Sequence, residues 1–285
     1  MFAIIGPTAS GKSNLALELA KEFGYEILSL DSLSIYKEID IASAKPSKEE
    51  LKEVKHYGVN EIYPNEEFNV AKFIEIYKKI PHKKIIIVGG SSFYLKAMID
   101  GISQMPQINQ EIKEKAKRFS FKDIQKIDPL YASKISPNDT YRIQKAAQIY
   151  LATNLPPTKY FQLHPKIPIL PQIPIFEIEI SRDKLREKIK KRTKKMFEMG
   201  LIDEVAYLEK KYRDRRLPSL KAIGVKEVLD YFNGIYNKDK LFEKIVTNTA
   251  RLAKRQQIFN KTQFPQKISA PIEKLKEIIK RENLS

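Results

Sequence analysis

An eight-residue stretch near the start of the chain constrains its fold more than any other part of the sequence. It reads GPTASGKS at residues 6–13 and follows the apolar run MFAII at residues 1–5. Its two glycines, its lysine and its final hydroxyl have the spacing of a phosphate-binding loop that joins a strand to a helix. A repeat of apolar residues every fourth position predicts that helix over 12–23. The sequence therefore predicts a site for a phosphate or a diphosphate.

The fixed positions of this loop each serve the binding of an anion. Several backbone amides must point at one phosphate, and glycine allows the backbone to approach it closely. Lys12 is expected to reach the outer phosphate, and the Ser13 hydroxyl to bind a magnesium ion. The helix dipole adds positive potential at the same place. The candidate diphosphate site is the whole loop, Gly6, Pro7, Thr8, Ala9, Ser10, Gly11, Lys12 and Ser13.

Two later predicted strands also end in residues suited to a ligand site. Asp31 follows the apolar segment 26–30, and Gly-Gly-Ser at 89–91 follows the run KIIIV at 84–88. Ligands of parallel sheets bind beyond the carboxyl ends of the strands. Asp31 is therefore a candidate general base or acceptor-binding group, and the alternative is that it only caps the next segment. Alternating strands and helices predict an α/β fold, a phosphate-loop parallel sheet flanked by helices.

The pattern changes near residue 101, where short helical segments follow one another without strands. We predict a small all-helical insertion domain over 104–164, and a catalytic core made of 1–103 and 165–285. The segment IPIFEIEI at 173–180 is predicted to be a strand that re-enters the core. A basic helical region follows from Asp183 onward.

Charge and composition indicate the kind of partner that the chain binds and exclude some kinds of site. The chain has 52 Lys and Arg against 35 Asp and Glu, a net charge of +17, which predicts a polyanionic partner. Nucleic acid is the first candidate and an anionic membrane surface the second. No apolar run is long enough to span a bilayer, so membrane insertion is not expected. The chain has no cysteine, which excludes disulfides and Cys-based zinc sites and is typical of a cytoplasmic protein.

These residues leave three functions open. The first is group transfer from a phosphorylated donor to a nucleic acid. The second is a small-molecule kinase in which Asp31 activates a hydroxyl, and the third is a nucleotide-gated RNA-binding module. Users of ATP or GTP normally have an acidic residue at the end of a later strand, whereas 84–88 ends in Gly-Gly-Ser, which argues against both alternatives. The isolated histidines His56, His82 and His164 are predicted to be structural or surface residues.

Six blocks in this order resemble the tRNA dimethylallyltransferases over nearly the whole chain. They are GPTASGKS at 6–13, DSLSIYKEIDIASAKP at 31–46, VGGSSFYLKAMIDG at 88–101, ISPNDTYRIQKA at 135–146, LPSLKAIGVKEV at 217–228 and LAKRQ at 252–256. The resemblance implies transfer of a dimethylallyl group from dimethylallyl diphosphate to the exocyclic amine of the adenosine 3′ to the anticodon. It also implies that the loop holds the leaving diphosphate instead of ATP.

The resemblance implies roles for residues at the reaction centre. Asp31 matches a catalytic aspartate that accepts the proton from the adenine amine. Ser91 stands where the family has a threonine that hydrogen-bonds there, and Lys12 with Mg²⁺ at Ser13 would stabilise the leaving diphosphate. Arg182 and Arg192 are expected to clamp phosphates of the donor or of the RNA.

The resemblance further implies that the insertion grips the anticodon stem-loop of a tRNA. Lys113 stands where the family often has an arginine, and Val225, Ala250 and Phe259 replace a usual tyrosine, arginine and tryptophan. A monomer is expected. The residues expected to contact tRNA are Asp31, Ser32, Leu33, Ser34, Ser91, Lys113, Tyr141, Arg142, Ile143, Gln144, Lys145, Lys221, Ala222, Ile223, Gly224, Val225 and Lys226.

Overall fold

The computed structural model describes residues 1–81 and 84–284. They form two compact units, one made of Met1–Lys96 with Gln172–Ser285 and the other of Ala97–Pro171. His82, predicted to be a structural or surface residue, lies outside the described residues. No helix in the described part of the chain is long and apolar enough to cross a membrane.

The larger unit contains a six-stranded sheet in which every neighbouring pair is parallel. The strand order is β3-β2-β4-β1-β5-β6, so β1, which leads into the phosphate loop, lies inside the sheet. The strands are β1 Phe2–Ile5, β2 Glu26–Ser29, β3 His56–Tyr57, β4 Ile85–Gly89, β5 Ile175–Ile178 and β6 Ile268–Ala270.

The helices follow in chain order, with α5 to α9 in the smaller unit and a short 3₁₀ helix at Pro218–Lys221. They are α1 Lys12–Phe23, α2 Lys48–Glu53, α3 Val70–Lys78, α4 Ser92–Asp100, α5 Gln110–Ala116, α6 Phe121–Ile127, α7 Pro129–Ala132, α8 Thr140–Thr153, α9 Pro157–Leu163, α10 Arg182–Glu198, α11 Leu201–Tyr212, α12 Val225–Phe232, α13 Lys238–Gln263 and α14 Ile272–Leu284.

Two hydrophobic clusters hold the larger unit together. On one face of the sheet, Leu19 of α1 and Leu275 of α14 pack against Ile4 of β1. The second cluster joins the segment after β2, through Ile35, to α11, α12 and α13. The central strands β1 and β4 are buried along their whole length and are continuous apolar runs, as is typical of parallel sheets covered on both faces.

The predicted fold class is confirmed, and five elements were not foreseen. Strand β3 has two residues and β6 three, too few for a periodic signal. Helix α9 begins at Pro157, a position that tolerates proline, although its proline-rich setting favours a loop. Helix α7 is a single turn, and α14 lies in a segment for which the sequence predicted no helix.

The smaller unit has its own apolar core and a buried carboxylate that joins two of its helices. Ala116, Ile124 and Ala147 belong to that core. Asp128 is 4% exposed. Its Oδ1 accepts a hydrogen bond from the backbone N–H of Tyr131 (2.8 Å), and its Oδ2 accepts one from that of Thr158 (2.6 Å). The first turns of α7 and α9 are thus capped by one side chain.

Gly89 at the end of β4 lies too close to β2 for any side chain, so we predict that Gly89→Ala destabilises the protein. A Cβ atom there would lie 2.4 Å from the carbonyl oxygen of Leu30. Relieving this overlap should cost about 1–3 kcal/mol of the free energy of unfolding, measured by urea denaturation. Because no left-handed φ is involved at Gly89, the loss reports the steric overlap alone. A free energy of unfolding equal to that of the wild type would contradict the prediction.

Candidate active site

The phosphate loop leaves β1 in a conformation that only some residues adopt. Gly11 has φ +102°, a left-handed value that favours glycine, and Ala9 has φ +64°. The N–H of Ser10 donates to the carbonyl of Pro7 at 3.2 Å, which closes the loop on itself. Helix α1 begins at Lys12, immediately after the loop. The loop therefore lies at the N-terminus of a helix, where backbone amides attract anions.

Lys12 is buried under the loop. The residue is 8% exposed, and its Nζ donates a hydrogen bond to the carbonyl oxygen of Pro7 at 3.2 Å. Burial and, to a smaller extent, the charge of the neighbouring Arg192 lower the pKa of Lys12 to about 8, and Asp31 opposes both effects. An anion bound in the loop would favour the charged form of this lysine.

Arg192 of α10 is the second cation at the loop. Its Nη1 donates to Oγ1 of Thr8 (3.1 Å) and its Nη2 to the carbonyl oxygen of Ser43 (3.4 Å). Burial lowers the pKa of Arg192, and Asp31 opposes that shift. Arg182 is at the first turn of the same helix, about 15 Å away along the axis. It is exposed and lines neither of the cavities described below.

Asp31 has one oxygen engaged with the backbone. Oδ1 accepts hydrogen bonds from the N–H groups of Leu33 (2.8 Å) and Ser34 (3.3 Å), so the carboxylate caps the turn after β2. Among the described residues, no hydrogen bond to Oδ2 is found. Asp31 also lines both cavities beside the phosphate loop. Capping and a chemical role are thus compatible, because each uses a different oxygen.

Two cavities of the larger unit meet at the loop. One has a volume of about 140 Å³ and the other about 330 Å³. The smaller cavity continues past Ser13 towards His56. The larger continues past Ser91 towards Ile223 and Gln256. The residues that line both are Thr8, Lys12, Asp31, Ser43 and Arg192.

Ser91 joins the end of β4 to that of β2. Its N–H donates to the carbonyl oxygen of Leu30 at 2.9 Å, and its hydroxyl lies 3.5 Å from that of Ser32. Because β2 and β4 are paired, Ser91 lines the same cavity as Asp31. The structure therefore brings together Lys12, Asp31 and Ser91, which follow three different strands.

The donor groups at the loop suit a magnesium ion that is coordinated mainly by phosphate and water oxygens and by few protein groups. Among the described residues, no group of three or more His, Asp or Glu side chains could hold a metal ion. Ser13 is exposed and lines the smaller cavity with Asp31, so the site offers a hydroxyl and a carboxylate oxygen beside the loop. Mg²⁺ prefers oxygen and commonly keeps phosphate and water ligands beside one protein hydroxyl or carboxylate.

Sequence reasoning missed two side chains that contact the loop. Gln256 of α13 accepts a hydrogen bond at Oε1 from the N–H of Thr8 (2.8 Å), and it packs against Gly90, where a Cβ would lie 2.4 Å from its Nε2. Nζ of Lys188 donates to the carbonyl oxygen of Ser10 at 3.4 Å. Signals existed for both: Gln256 ends the LAKRQ block, and Lys188 belongs to the basic run of α10.

The stretches of the larger unit that were expected to contact tRNA divide by exposure. Lys221, Ala222, Ile223, Ser32 and Leu33 all line the larger cavity. Lys226 is exposed. Ser34 is buried but lines the smaller cavity, whereas Gly224 and Val225 are buried and line neither cavity. Val225 is 0% exposed because it packs in the core with α11 and α13.

The expected tRNA contacts of the smaller unit lie mostly on its surface. Tyr141 is 68% exposed, and Lys113 and Arg142 are exposed. Nζ of Lys145 lies 5.8 Å from the Tyr141 ring centre, and Gln144 next to it is half-buried. Ile143 is buried in the core of this unit, so its side chain is not available to RNA.

Fold and site together define a phosphate-loop α/β protein with a carboxylate beside the loop. The family model described as IPP transferase matches residues 34–263. A protein of Nautilia profundicola called tRNA dimethylallyltransferase is 74% identical over 279 residues, 98% of each chain. One of the same name from Sulfurimonas denitrificans is 50% identical over 97% of each chain. The chain belongs to the IPP transferase family, which confirms the resemblance found in its sequence.

Solved structures of similar proteins agree with this assignment. The tRNA isopentenylpyrophosphate transferase of Bacillus halodurans is 26% identical with a TM-score of 0.68, covering 99% of this chain and 95% of that one. A eukaryotic dimethylallyltransferase acting on tRNA has a TM-score of 0.81 at 22% identity, covering 95% of this chain and 73% of that one. The second likeness shows the fold alone.

The lowered pKa of Lys12 predicts how binding of inorganic diphosphate depends on pH. Below pH 8 the lysine is charged and attracts the anion, and above it the lysine of the free protein is neutral. Affinity should therefore fall as the pH rises through about 8, and binding at pH 8–9 should take up a proton. Calorimetry in buffers of different ionisation enthalpy measures both, with Lys12→Met to subtract the titration of diphosphate itself. Identical pH profiles for the two proteins would contradict the prediction.

Proposed function

We propose that this chain transfers the dimethylallyl group of dimethylallyl diphosphate to the exocyclic amine of the adenosine 3′-adjacent to the anticodon of a tRNA. The product is N6-isopentenyladenosine, and diphosphate is released. The observation that carries the proposal is the position of Asp31, which lines both the cavity past Ser13 and the one past Ser91. A donor held at the loop and an acceptor in the larger cavity would meet at this carboxylate.

The donor end of the site can stabilise a leaving diphosphate. Negative charge develops on the diphosphate oxygens as the allylic carbon–oxygen bond breaks. The loop amides, Lys12 and Arg192 can stabilise that charge. Lys12 is buried and Arg192 half-buried, which reduces the competition of water. Lys188 adds a third positive charge at Ser10. Catalysis at this end is electrostatic.

A magnesium ion fits this site and is proposed as the cofactor. The Ser13 hydroxyl would hold it, with Asp31 in the same cavity. When bound, Mg²⁺ would neutralise charge on the diphosphate oxygens. The chain itself orients the diphosphate through its loop, whose conformation is set by Gly11 and Ala9.

At the acceptor end, Asp31 acts as the general base. The adenine nitrogen forms a bond to the allylic carbon, the carbon–oxygen bond to the diphosphate breaks, and the proton of the amine passes to Oδ2 of Asp31. Oδ1 stays bound to the N–H groups of Leu33 and Ser34, so the carboxylate keeps its orientation throughout. Ser91 offers a hydroxyl for a hydrogen bond at the same centre.

The tRNA is proposed to bind both units. The target base leaves its stack and enters the larger cavity, lined by Lys221 and Ile223, at a cost of a few kcal/mol. The smaller unit presents Tyr141 and Arg142 for the anticodon stem-loop. Phosphate contacts of a chain with net charge +17 would offset the cost of flipping. We propose that the enzyme acts as a monomer, and that it acts in the cytoplasm, where its tRNA substrate is found.

The proposal is tested by incubating the protein with labelled dimethylallyl diphosphate, Mg²⁺ and unmodified tRNA. Label should appear in the tRNA, at the adenosine next to the anticodon when the RNA is digested and mapped. A tRNA with guanosine at that position is the matched control and should stay unlabelled. Absence of transfer together with RNA-stimulated hydrolysis of ATP would overturn the proposal in favour of a nucleotide-gated RNA-binding module.

Asp31→Asn should separate the chemical role of this residue from its capping role. Asparagine can still accept the two backbone hydrogen bonds, so its thermal unfolding should match the wild type. Transfer should fall by about 10²–10⁴-fold, because the amide cannot accept the proton. Asp31→Ala should lose transfer equally and also about 1 kcal/mol of stability, as expected for a lost cap. Wild-type activity of Asp31→Asn would exclude Asp31 as the base.

The basic residues of α8 should contribute to tRNA binding through phosphates. We predict that Arg142→Ala with Lys145→Ala weakens tRNA binding and makes the slope of log K against log salt shallower by about 2. Filter binding over a range of salt concentrations measures both. Lys122→Ala with Lys126→Ala, on exposed positions of α6, removes the same charge as a control. Equal effects of the two pairs would show that only net charge matters.

A further inference from the structure

Three consecutive backbone amides bind a single carboxylate on α11. Oε2 of Glu204 accepts hydrogen bonds from the N–H groups of Asp40 and Ile41, both at 2.7 Å. Oε1 accepts one from the N–H of Ala42 at 2.9 Å. Glu204 itself is fixed in the first turn of α11, where its N–H donates to the carbonyl of Gly200 at 3.0 Å. Hydrogen bonds to an ionised carboxylate are about twice as strong as neutral ones.

The segment held by Glu204 leads directly into the active site. Ser43, the next residue, lines both cavities, and its carbonyl oxygen accepts the hydrogen bond from Arg192. Ala44 has φ +48°, a left-handed conformation that costs energy for a residue other than glycine. Such a conformation persists only when the surroundings fix it. The three amides next to Ser43 supply that constraint.

Other side chains also hold this segment, but not through the N–H groups at 40–42. Oγ of Ser43 donates to the carbonyl oxygens of Ile39 (2.5 Å) and Asp40 (3.2 Å). Nζ of Lys45 donates to the carboxylate of Asp40 (2.7 Å). Glu204 is the side chain that binds those three N–H groups, and it thereby ties the segment before the Ser43 carbonyl to α11.

We propose that Glu204 is a positioning residue for the transfer reaction. It fixes the backbone at 40–42, which places the Ser43 carbonyl so that Arg192 is directed at Thr8 in the phosphate loop. Glu204 lines neither cavity and has no chemical step of its own. This inference rests on the proposed function for its effect on transfer, while its effect on diphosphate binding stands independently.

Glu204→Gln tests the proposal because it keeps the size of the side chain but turns one oxygen into a donor. That donor would face at least one N–H group of residues 40–42, so the segment should shift. We expect the affinity for inorganic diphosphate and kcat/KM for dimethylallyl diphosphate to fall about tenfold or more, since small displacements of binding groups have effects of up to about 10²-fold. Hydrogen exchange of the amides at 40–42 should become faster. Glu204→Asp, which keeps the carboxylate, should recover part of the loss.

Asp203→Asn is the matched control, because Asp203 is exposed in the same turn and lines neither cavity. It should bind diphosphate like the wild type. In an Arg192→Lys background, Glu204→Gln should weaken diphosphate binding little further, because both changes act on one interaction. A Glu204→Gln protein that unfolds at a lower temperature but binds diphosphate and turns over normally would overturn the proposal. A wild type that binds diphosphate but transfers nothing would overturn only the proposed function.

Discussion

The active site depends on holding two cations, Lys12 and Arg192, out of water beside a loop of backbone amides. Burial lowers the pKa of each of them, and Asp31 is the neighbouring charge that opposes the shift. An arrangement with more positive than negative charge inside the protein favours an anion that completes it. A diphosphate does so, and it gains further negative charge as the carbon–oxygen bond breaks. The strain of the free site and the chemistry of the proposed reaction thus have the same electrostatic origin.

The parallel sheet explains why the sequence alone predicts the centre of this site. Gly6, Asp31 and Ser91 each follow a strand, and β1, β4 and β2 are neighbours. Local patterns identify a strand and its last residue, and parallel pairing brings such ends together. The sequence reveals which residues stand at strand ends. The same reasoning does not show that Arg192 lies at the loop and Arg182 does not. That difference depends on the orientation of α10, which is set by packing with other helices.

The sequence alone does not predict contacts between side chains and segments that are far apart along the chain. Gln256 contacts Thr8 across 248 positions, and Glu204 contacts Asp40 across 164. No local pattern reports such pairs, since each depends on the final packing of α11 and α13. The sequence does not reveal which residues are buried for the same reason. Val225 belongs to a stretch expected to contact RNA, but it lies in the core. Short strands such as β3 and β6 depend on their pairing with β2 and β5, which their own sequence does not reveal.

Several acidic residues of this basic chain fix the backbone of its loops and helix ends. Asp31 caps the turn after β2, and Glu204 holds 40–42. Glu227 accepts a hydrogen bond from the N–H of Gly224 at 2.7 Å, just after the cavity-lining Lys221–Ile223 stretch, and Asp128 caps two helices of the smaller unit. Each of these carboxylates satisfies amides in segments without strand partners. Negative charge is thereby used to shape the loops, and positive charge is left for phosphates. A net charge of +17 remains for contacts with the phosphates of a polyanionic partner.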